Sequence, residues 1–259
     1  LREIESFRYP IFKSDIIFHV AADYRLWARK PKELYDSNVR GTENVCSLAS
    51  ELNKKLIYTS SVATLGLSEG KESNEDTHVN FKNMVGDYKK SKYLAERIVL
   101  KFVKKKKLKA IIVNPSTPIG PGDIKPTPTG KIILDVLRGK MPAYVDTGLN
   151  LVHVDDVAEG HFLALKYAKY GEKYILGGEN LDFKDFLDYI SEYGSVAKVK
   201  VKINPKILFP LAYINDFIFR FLINRTPSLT VDGLKMSTKK MFFSSDKAKK
   251  KLRYRPRSV

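Results

Sequence analysis

Three short apolar runs alternate with amphipathic segments in the first half of the chain. They read DIIFHVAA, KKLIYTSS and KAIIVNP, at residues 15–22, 54–61 and 109–115, and each ends in small or polar residues. Continuous apolar runs of this length are typical of parallel strands that helices cover on both faces. The pattern therefore predicts an α/β fold with a doubly wound, Rossmann-like parallel sheet.

The residues that end the three runs are candidates for a ligand site. In doubly wound sheets, ligands bind outside the carboxyl ends of the strands. The pairs Ala21–Ala22, Ser60–Ser61 and Asn114–Pro115 stand at those ends. We expect these pairs to lie around one crevice.

A tyrosine and a lysine at helical spacing suggest proton transfer. Tyr88 stands four residues before Lys92 in DYKKSKYLAER, so a helix places both on one face, one turn apart. A free tyrosine titrates near pH ~10, and a nearby cation favours its phenolate. Lys92 would supply that charge, and the Ser61 hydroxyl would orient a substrate alcohol or carbonyl. An isolated pair of this kind is more often an ordinary helix face; the neighbouring strand ends favour a site.

The pattern changes after Pro115. A Pro- and Gly-rich connection leads to a helical segment, KIILDVLRG, and residues 154–168 predict a further helix that begins with Asp155 and Asp156. The most apolar stretch, residues 205–223, is interrupted by polar residues and falls short of the roughly 18–20 clean residues that a membrane span needs. We predict a helix there, with peripheral membrane contact as the minor alternative.

Composition narrows the classes of partner. The net charge of +17 suits nucleic acid, an anionic membrane or an anionic small substrate. The basic residues are spread along the chain, apart from Lys104–Lys107 at the end of a predicted helix, and no nucleic-acid motif accompanies them. We therefore predict no nucleic-acid partner, and attribute the excess lysine mostly to the composition typical of the source, with binding of a phosphate-bearing substrate as a secondary gain.

Cysteine and histidine give little chemistry. Cys46 is the only cysteine, which excludes an internal disulfide, and we predict that it is buried in a helix. His153 and His161 lack metal-ligand spacing, so we predict no metal and a structural use for both. The N-terminal LREIESFRYP does not resemble a secretory signal, so a cytoplasmic location is the expectation.

Several longer strings carry a family resemblance. HVAADYRLWARKPKELYDSNVRGTENV, YTSSVATLG, YKKSKYLAE and IIVNPSTPIGPGDIKPTPTG resemble the extended short-chain dehydrogenases/reductases of the NAD-dependent epimerase/dehydratase family. The chain is most similar to the hopanoid-associated sugar epimerase group, a neighbour of the dihydroflavonol-reductase-like enzymes. The likeness extends from about residue 15 to Pro256.

The resemblance implies roles for individual residues and NAD or NADP as cofactor. Tyr88 would be the catalytic acid/base, Lys92 would lower its pKa and bind the nicotinamide ribose, and Ser61 would hydrogen bond the reacting oxygen. Close packing, capping or strand termination would also explain several of the cofactor-lining positions. Those positions, besides Tyr88 and Lys92, are Ala21, Ala22, Asn38, Ser60, Pro115, Ser116 and Thr117.

One part of the family pattern is missing. No glycine precedes Gly41, so the Gly-rich phosphate loop is absent. Only 14 residues precede the first predicted strand, whereas one βαβ unit takes roughly 30. We therefore expect a chain truncated at both ends, with a sheet that lacks its first βαβ unit. Arg253 also replaces the glycine usual after the last helix.

The resemblance implies two lobes. Residues 1–120, with 151–178 returning to them, would form a partial dinucleotide-binding domain. Residues 121–150 and 179–259 would form a smaller C-terminal α/β lobe for the substrate. A homodimer is an option that the resemblance leaves open.

Three functions remain open. The leading hypothesis is NAD(P)-dependent epimerase/dehydratase chemistry at a hydroxyl carbon of a nucleotide-linked or similarly anionic sugar. The first alternative is a dihydroflavonol-reductase-like NADPH ketoreductase with the same three catalytic residues. The second is a non-catalytic remnant, which the absent Gly-rich loop favours.

Overall fold

The computed structural model describes residues 1–223, 227 and 229–259, and helices and strands alternate through them. The helices in this part of the chain are α1 (Glu5–Lys13), α2 (Lys32–Tyr35), α3 (Gly41–Glu51), α4 (Gly86–Lys106), α5 (Pro128–Leu137), α6 (Val154–Tyr167), α7 (Phe183–Tyr193), α8 (Pro205–Phe221), α9 (Val231–Ser237) and α10 (Asp246–Leu252). The strands are β1 (Ile16–His19), β2 (Lys55–Thr59), β3 (Lys109–Pro115), β4 (Thr117–Ile119), β5 (Ala143–Tyr144), β6 (Gly148–His153), β7 (Lys173–Leu176), β8 (Glu179–Asp182), β9 (Val201–Lys202) and β10 (Lys240–Met241). A π-helical turn, Asp36–Arg40, joins α2 to α3, and 3-10 turns occupy Val62–Thr64 and Phe81–Asn83.

The main sheet contains the three strands predicted from the apolar runs. Its order is β1-β2-β3-β7, and all neighbours are parallel. β3 has the predicted bounds, whereas β1 ends at His19, three residues before the predicted end. The chain leaves the sheet after His19. Val20 is exposed, and the Asp23 amide donates a hydrogen bond to the Asn38 side chain, which belongs to another segment.

Helices cover both faces of this sheet, as the alternation of side chains requires. On β2, Leu56 and Tyr58 pack with residues of α3 and α4, while Ile57 faces the opposite cluster with residues of α6 and α10. Cys46 lies in the first of these clusters and is fully buried, as predicted. The doubly wound α/β prediction is confirmed.

A second, smaller group of strands and helices follows. β10, β6 and β4 form a parallel sheet, β8 joins β6 in the antiparallel sense, and β5 pairs with β9. Its apolar cluster includes Val136 of α5, Leu151 of β6 and Phe186 of α7. β4 pairs with residues 151–153 of β6, which the prediction assigns to the same domain, while β6 itself begins at Gly148 and so crosses the predicted boundary at residue 150. The division into domains and the homodimer stay predictions.

The polar segment 66–83, predicted as a surface loop, is partly buried. Ser73 and Glu75 are almost fully enclosed. A Glu75 carboxylate oxygen accepts a hydrogen bond from the Ile175 amide of β7 at 2.8 Å, and Ser73 bridges to Phe243. The reason is the free edge of β7, whose backbone groups need partners.

The two histidines have structural partners. His153 caps α6, because its Nδ1 accepts a hydrogen bond from the Asp155 amide at 3.2 Å. His161 contacts the Val157 carbonyl at 2.7 Å and the Thr59 hydroxyl at 2.8 Å. Asp156, in the first turn of α6, turns inward, where its carboxylate accepts hydrogen bonds from Arg257.

The C-terminal helices also follow the predicted pattern. Residues 205–221 form α8, and no helix in the described ranges is long and apolar enough to cross a membrane. Arg253, which replaces the expected glycine after α10, adopts φ 62°, the left-handed conformation that glycine favours. Its guanidinium lies 5.0 Å from the centre of the Tyr167 ring, a contact that offsets part of the backbone strain.

Candidate active site

Helix α4 carries the predicted tyrosine and lysine at the edge of the main sheet. Tyr88 lies in its first turn and is partly exposed, whereas Lys92, one turn later, is buried with 3% of its surface exposed. The apolar residues Ala95 and Val99 hold the buried face of α4 against the sheet. The helix thus brings a phenol to the surface and an ammonium group to the interior.

Ser61 reaches the same place from β2. It caps the Val62–Thr64 turn, and its Oγ accepts a hydrogen bond from the Ala63 amide at 3.1 Å. The Ser61 hydroxyl also lies close enough to the Tyr88 phenol to lower its pKa, against the larger effect of burial. The structure therefore brings together the Ser61 and Tyr88 side chains that the sequence analysis paired.

Burial determines the titration of this pair. It raises the pKa of Tyr88, and the nearby Ser61 hydroxyl offsets that rise only in part. Burial also lowers the pKa of Lys92 to about 8, although the Glu96 carboxylate acts in the opposite direction. The Tyr88 pKa is thus raised and not lowered in this structure, since burial disfavours the phenolate as it disfavours the Lys92 ammonium.

The Lys92 ammonium is held by the strand end. Its Nζ donates a hydrogen bond to the Thr59 carbonyl at 2.8 Å and lies 4.9 Å from the centre of the Tyr58 ring. The ammonium also lowers the pKa of His19, on the neighbouring strand β1, which burial brings to about 4. Lys92 is therefore a buried cation beside the carboxyl ends of β1 and β2.

Asn38 braces the turn after β1. Its side chain exchanges hydrogen bonds with the Asp23 backbone, at 2.7 Å from the amide and 2.9 Å to the carbonyl, and donates to Ser91 Oγ at 2.9 Å. Ser91 Oγ in turn donates to the Tyr88 carbonyl at 2.8 Å. This chain of hydrogen bonds ties the Ala21–Ala22 turn to the helix that carries the phenol.

The other predicted cofactor positions fall into two groups. Pro115 ends β3, Thr117 begins β4, and between them the Ser116 amide donates to the Leu176 carbonyl at 3.2 Å. Ser60 instead points into the protein, where its hydroxyl donates to a Glu96 oxygen at 2.5 Å. A cofactor contact at Ser60 would therefore have to use the backbone.

The site has features that fit a nicotinamide nucleotide. The Ala21–Ala22 turn lines a cleft of about 530 Å³ together with Arg2, Glu3, Asp23 and Ser37. Across the strand ends, the buried Ser116 Oγ has no hydrogen-bond partner within the described part of the chain. A buried hydroxyl without a partner is costly unless a ligand or water satisfies it.

Sequence reasoning missed Glu96 and gave Asn114 no role beyond its place at a strand end. Glu96 is buried and receives hydrogen bonds from the ends of two strands, and Asn114 Nδ2 is one of those donors, at 2.9 Å. A signal was present, because Tyr88, Lys92 and Glu96 recur every four residues and so lie along one helix face.

Comparison with known proteins agrees with this geometry. The profile of the NAD dependent epimerase/dehydratase family matches residues 6–177. A protein of Synechocystis that carries the name of a dihydroflavonol 4-reductase is 42% identical over 242 residues, which are 91% of this chain and 70% of the relative. The crystal structure of gox2253 matches with a TM-score of 0.87 and 50% identity, covering 99% of this chain and 78% of gox2253.

A more distant structure shows the same fold. The dTDP-glucose 4,6-dehydratase DesIV of Streptomyces venezuelae, solved with NAD bound, has a TM-score of 0.78 at 17% identity, over 100% of this chain and 73% of DesIV. The chain belongs to the NAD dependent epimerase/dehydratase family. The predictions of an extended short-chain dehydrogenase/reductase enzyme and of NAD or NADP as its cofactor are confirmed at the level of that family. The narrower hopanoid-associated group stays a prediction.

Proposed function

We propose that this chain catalyses nicotinamide-dependent oxidation and reduction at a sugar hydroxyl carbon, with an epimerase or dehydratase outcome. The observation that supports it is the convergence of the Ser61 hydroxyl, just after the carboxyl end of β2, on the Tyr88 phenol, whose pKa it lowers against the effect of burial. Lys92 follows one helix turn later. This arrangement has the donor, acceptor and cation that proton transfer to or from a substrate oxygen requires.

Tyr88 would exchange the proton of the reacting oxygen. Because its pKa is raised, the phenol is protonated at neutral pH and suits donation to a carbonyl oxygen. Removal of a hydroxyl proton needs the phenolate, which a nearby positive charge favours. Ser61, which lies beside the phenol, would hold the same substrate oxygen.

The cofactor would lie between the Ala21–Ala22 turn and the Pro115–Thr117 segment. When bound, the nicotinamide supplies or accepts the hydride. Lys92 would bind the ribose hydroxyls and provide the positive charge for Tyr88, and the Ser116 hydroxyl would gain the partner that it lacks. Asn38 would keep the alanine turn at a fixed distance from α4, through its bonds to Asp23 and Ser91.

An anionic, nucleotide-linked sugar suits the charge of the chain. The net charge of +17 favours binding of phosphate groups by simple attraction. DesIV, which shares the fold, acts by its name on dTDP-glucose. These two observations support the substrate class and leave the particular sugar open.

A ketoreductase is the second candidate. The relative that is 42% identical carries the name of a dihydroflavonol 4-reductase. The raised pKa of Tyr88 also suits net reduction, since a reductase uses the phenol only as a proton donor. The two functions differ in whether reduced cofactor is consumed.

Absorbance of reduced nicotinamide at about 340 nm would separate the two functions. The protein would be incubated with UDP-glucose or dTDP-glucose, and separately with a dihydroflavonol, in the presence of NAD, NADH, NADP or NADPH. A reductase consumes one reduced cofactor for each carbonyl. An epimerase changes the sugar with no net change in absorbance, which NMR of the sugar would detect.

Replacement of the phenol tests the proposed role directly. Tyr88→Phe should lower kcat by about 100-fold or more, because general acid–base catalysis contributes that much. Tyr93→Phe is the matched control, since Tyr93 lies on the same helix and stacks on Phe81 with 5.8 Å between ring centres. Retention of full activity by Tyr88→Phe, with Tyr93→Phe also active, would contradict the proposed site.

Cofactor binding tests the remaining alternative, a non-catalytic remnant. Thermal unfolding would be measured with NAD and with NADP, since a ligand at 100 times its Kd stabilises the folded protein by about 2.7 kcal/mol. A rise in Tm with either nucleotide supports the proposed function. An unchanged Tm with both would favour a chain that does not bind the cofactor.

A further inference from the structure

A buried carboxylate lies two helix turns beyond the proposed catalytic tyrosine. Glu96 of α4 has 4% of its surface exposed. Its Oε2 accepts hydrogen bonds from Ser60 Oγ at 2.5 Å, Thr64 Oγ1 at 2.8 Å and Asn114 Nδ2 at 2.9 Å. Its Oε1 pairs with Lys173 Nζ of β7 at 3.5 Å. Burial of a charge is costly, so such complete pairing calls for an explanation.

The partners of Glu96 surround Ser61. Ser60 precedes it, and Thr64 Oγ1 also lies 2.8 Å from the Ser61 carbonyl, so its single proton is shared between that carbonyl and Glu96. Asn114 Nδ2 also reaches the Ser61 carbonyl, at 3.0 Å. The carboxylate therefore gathers the donors that fix the backbone of Ser61, although it does not contact Ser61 itself.

Glu96 also lies within the electrostatic surroundings of Lys92. It is one turn away on the same helix, and its negative charge favours the ammonium form against burial. The other titratable groups that face this region are His19 of β1 and Tyr58 of β2, together with Tyr88 and Lys173. The carboxylate that acts on Lys92 is that of Glu96.

We propose that Glu96 is a positioning residue for the reaction, which holds the Ser61 turn through Ser60, Thr64 and Asn114 and faces Lys92 with a compensating charge. This inference rests on the proposed function, because it assigns Glu96 an effect through two of the proposed catalytic residues. It explains why a carboxylate occupies a place in the core where an apolar side chain would pack at less electrostatic cost.

Two substitutions separate charge from geometry. Glu96→Gln keeps the length of the side chain and loses the charge, whereas Glu96→Asp keeps the charge and withdraws it by one methylene. Glu51→Gln is the control, because Glu51 is an exposed carboxylate that pairs with Arg8 on the surface. All four proteins would carry ¹³C-labelled lysine, and the Lys92 signal would be identified by its loss in Lys92→Met.

The Lys92 titration by NMR is the primary measurement, since it needs neither cofactor nor substrate. Glu96→Gln should lower the Lys92 pKa by about one pH unit, the size expected when an opposite charge nearby is removed. Glu51→Gln should leave it unchanged. An unchanged Lys92 titration in Glu96→Gln would overturn the electrostatic half of the proposal, whether or not the protein is active.

The pH profile of kcat supplies the second measurement, with whichever sugar nucleotide or dihydroflavonol the wild-type protein converts. In Glu96→Gln the alkaline limb should move to lower pH with the Lys92 pKa. In Glu96→Asp kcat should fall about tenfold at every pH, because Ser61 is displaced while the charge remains. Full kcat in Glu96→Asp would overturn the positioning half. If the wild type converts no probe, the proposed function fails, and the NMR titration still decides on Glu96.

Discussion

Replacement of Lys92 by methionine should change how the stability of the protein depends on pH. The Lys92 ammonium is 97% removed from solvent, and burial lowers its pKa from 10.5 to about 8. Between these two values the unfolded chain keeps a proton that the folded protein has lost. The free energy of unfolding of the wild type therefore rises with pH across this window, as far as Lys92 contributes to it.

The size of the effect follows from the difference in pKa. One pH unit of pKa corresponds to about 1.4 kcal/mol, so the lowered Lys92 pKa amounts to about 3 kcal/mol. Methionine has a similar length and no charge, which removes this pH-dependent contribution. The difference in the free energy of unfolding, Lys92→Met minus wild type, should therefore be about 3 kcal/mol more positive at pH 7 than at pH 10.5. Its catalytic activity should be lost at every pH.

Urea unfolding at several pH values between 7 and 10.5 would measure this difference. The tyrosines whose pKa burial raises, Tyr58 and Tyr88, are present in both proteins, so most of their contribution cancels in the comparison. Lys101→Met is the control, because Lys101 lies on the same helix and is exposed. A constant difference between wild type and Lys92→Met across the whole range would refute the reasoning.

Two further substitutions test the backbone and the brace. Lys107→Gly should stabilise the protein by about 1 kcal/mol, because Lys107 ends α4 in the left-handed conformation, with φ 55°. Lys105→Gly, inside the helix, should destabilise it by about the same amount. A shift of Tm in the same direction for both variants would contradict this. Asn38→Ala should cost about 2–3 kcal/mol and weaken binding of NAD or NADP, because the Asp23 backbone loses both its hydrogen bonds to that side chain. Asn44→Ala is the control, and equal Tm and nucleotide affinity in the two variants would argue against a brace.

The strands were predictable where the apolar run alone decides the outcome. β3 matches its predicted bounds because every residue from Ala110 to Pro115 is buried between layers. β1 was predicted too long, since the run continues through Val20 to Ala22 while the backbone turns away to meet Asn38. That turn depends on a residue 15 positions later, which a local pattern does not contain.

The candidate site was predictable in its spacing and not in its enclosure. Four-residue spacing places Tyr88 and Lys92 on one helix face, and the strand ends place Ser61 beside them. The depth of each group in the fold depends on packing by other elements. Enclosure raises the Tyr88 pKa and lowers that of Lys92, which is opposite to the acidified phenol expected from the sequence.

Strand geometry could have corrected the prediction that both Ser60 and Ser61 line the ligand site. Consecutive side chains of an extended segment point to opposite sides, so Ser60 and Ser61 cannot both face one ligand. The structure turns Ser60 inward to Glu96 and leaves Ser61 beside Tyr88. The alternation also explains why the fold needs an acceptor behind the strand end, since the buried Ser60 hydroxyl requires a partner.

The face of α4 then has a consistent order from solvent to core. Tyr88 is partly exposed, Lys92 is buried against the Thr59 carbonyl, and Glu96 is buried among donors from three strand ends or turns. Lys92 and Glu96 carry opposite charges one turn apart, Lys173 of β7 pairs with Glu96, and a single uncompensated charge at that depth would cost several kcal/mol. The four-residue spacing that suggests catalysis thus also places Glu96 where its charge lowers the free-energy cost of burying Lys92. For this reason a Tyr–Lys pair followed four residues later by a carboxylate is a stronger sequence signal than the pair alone.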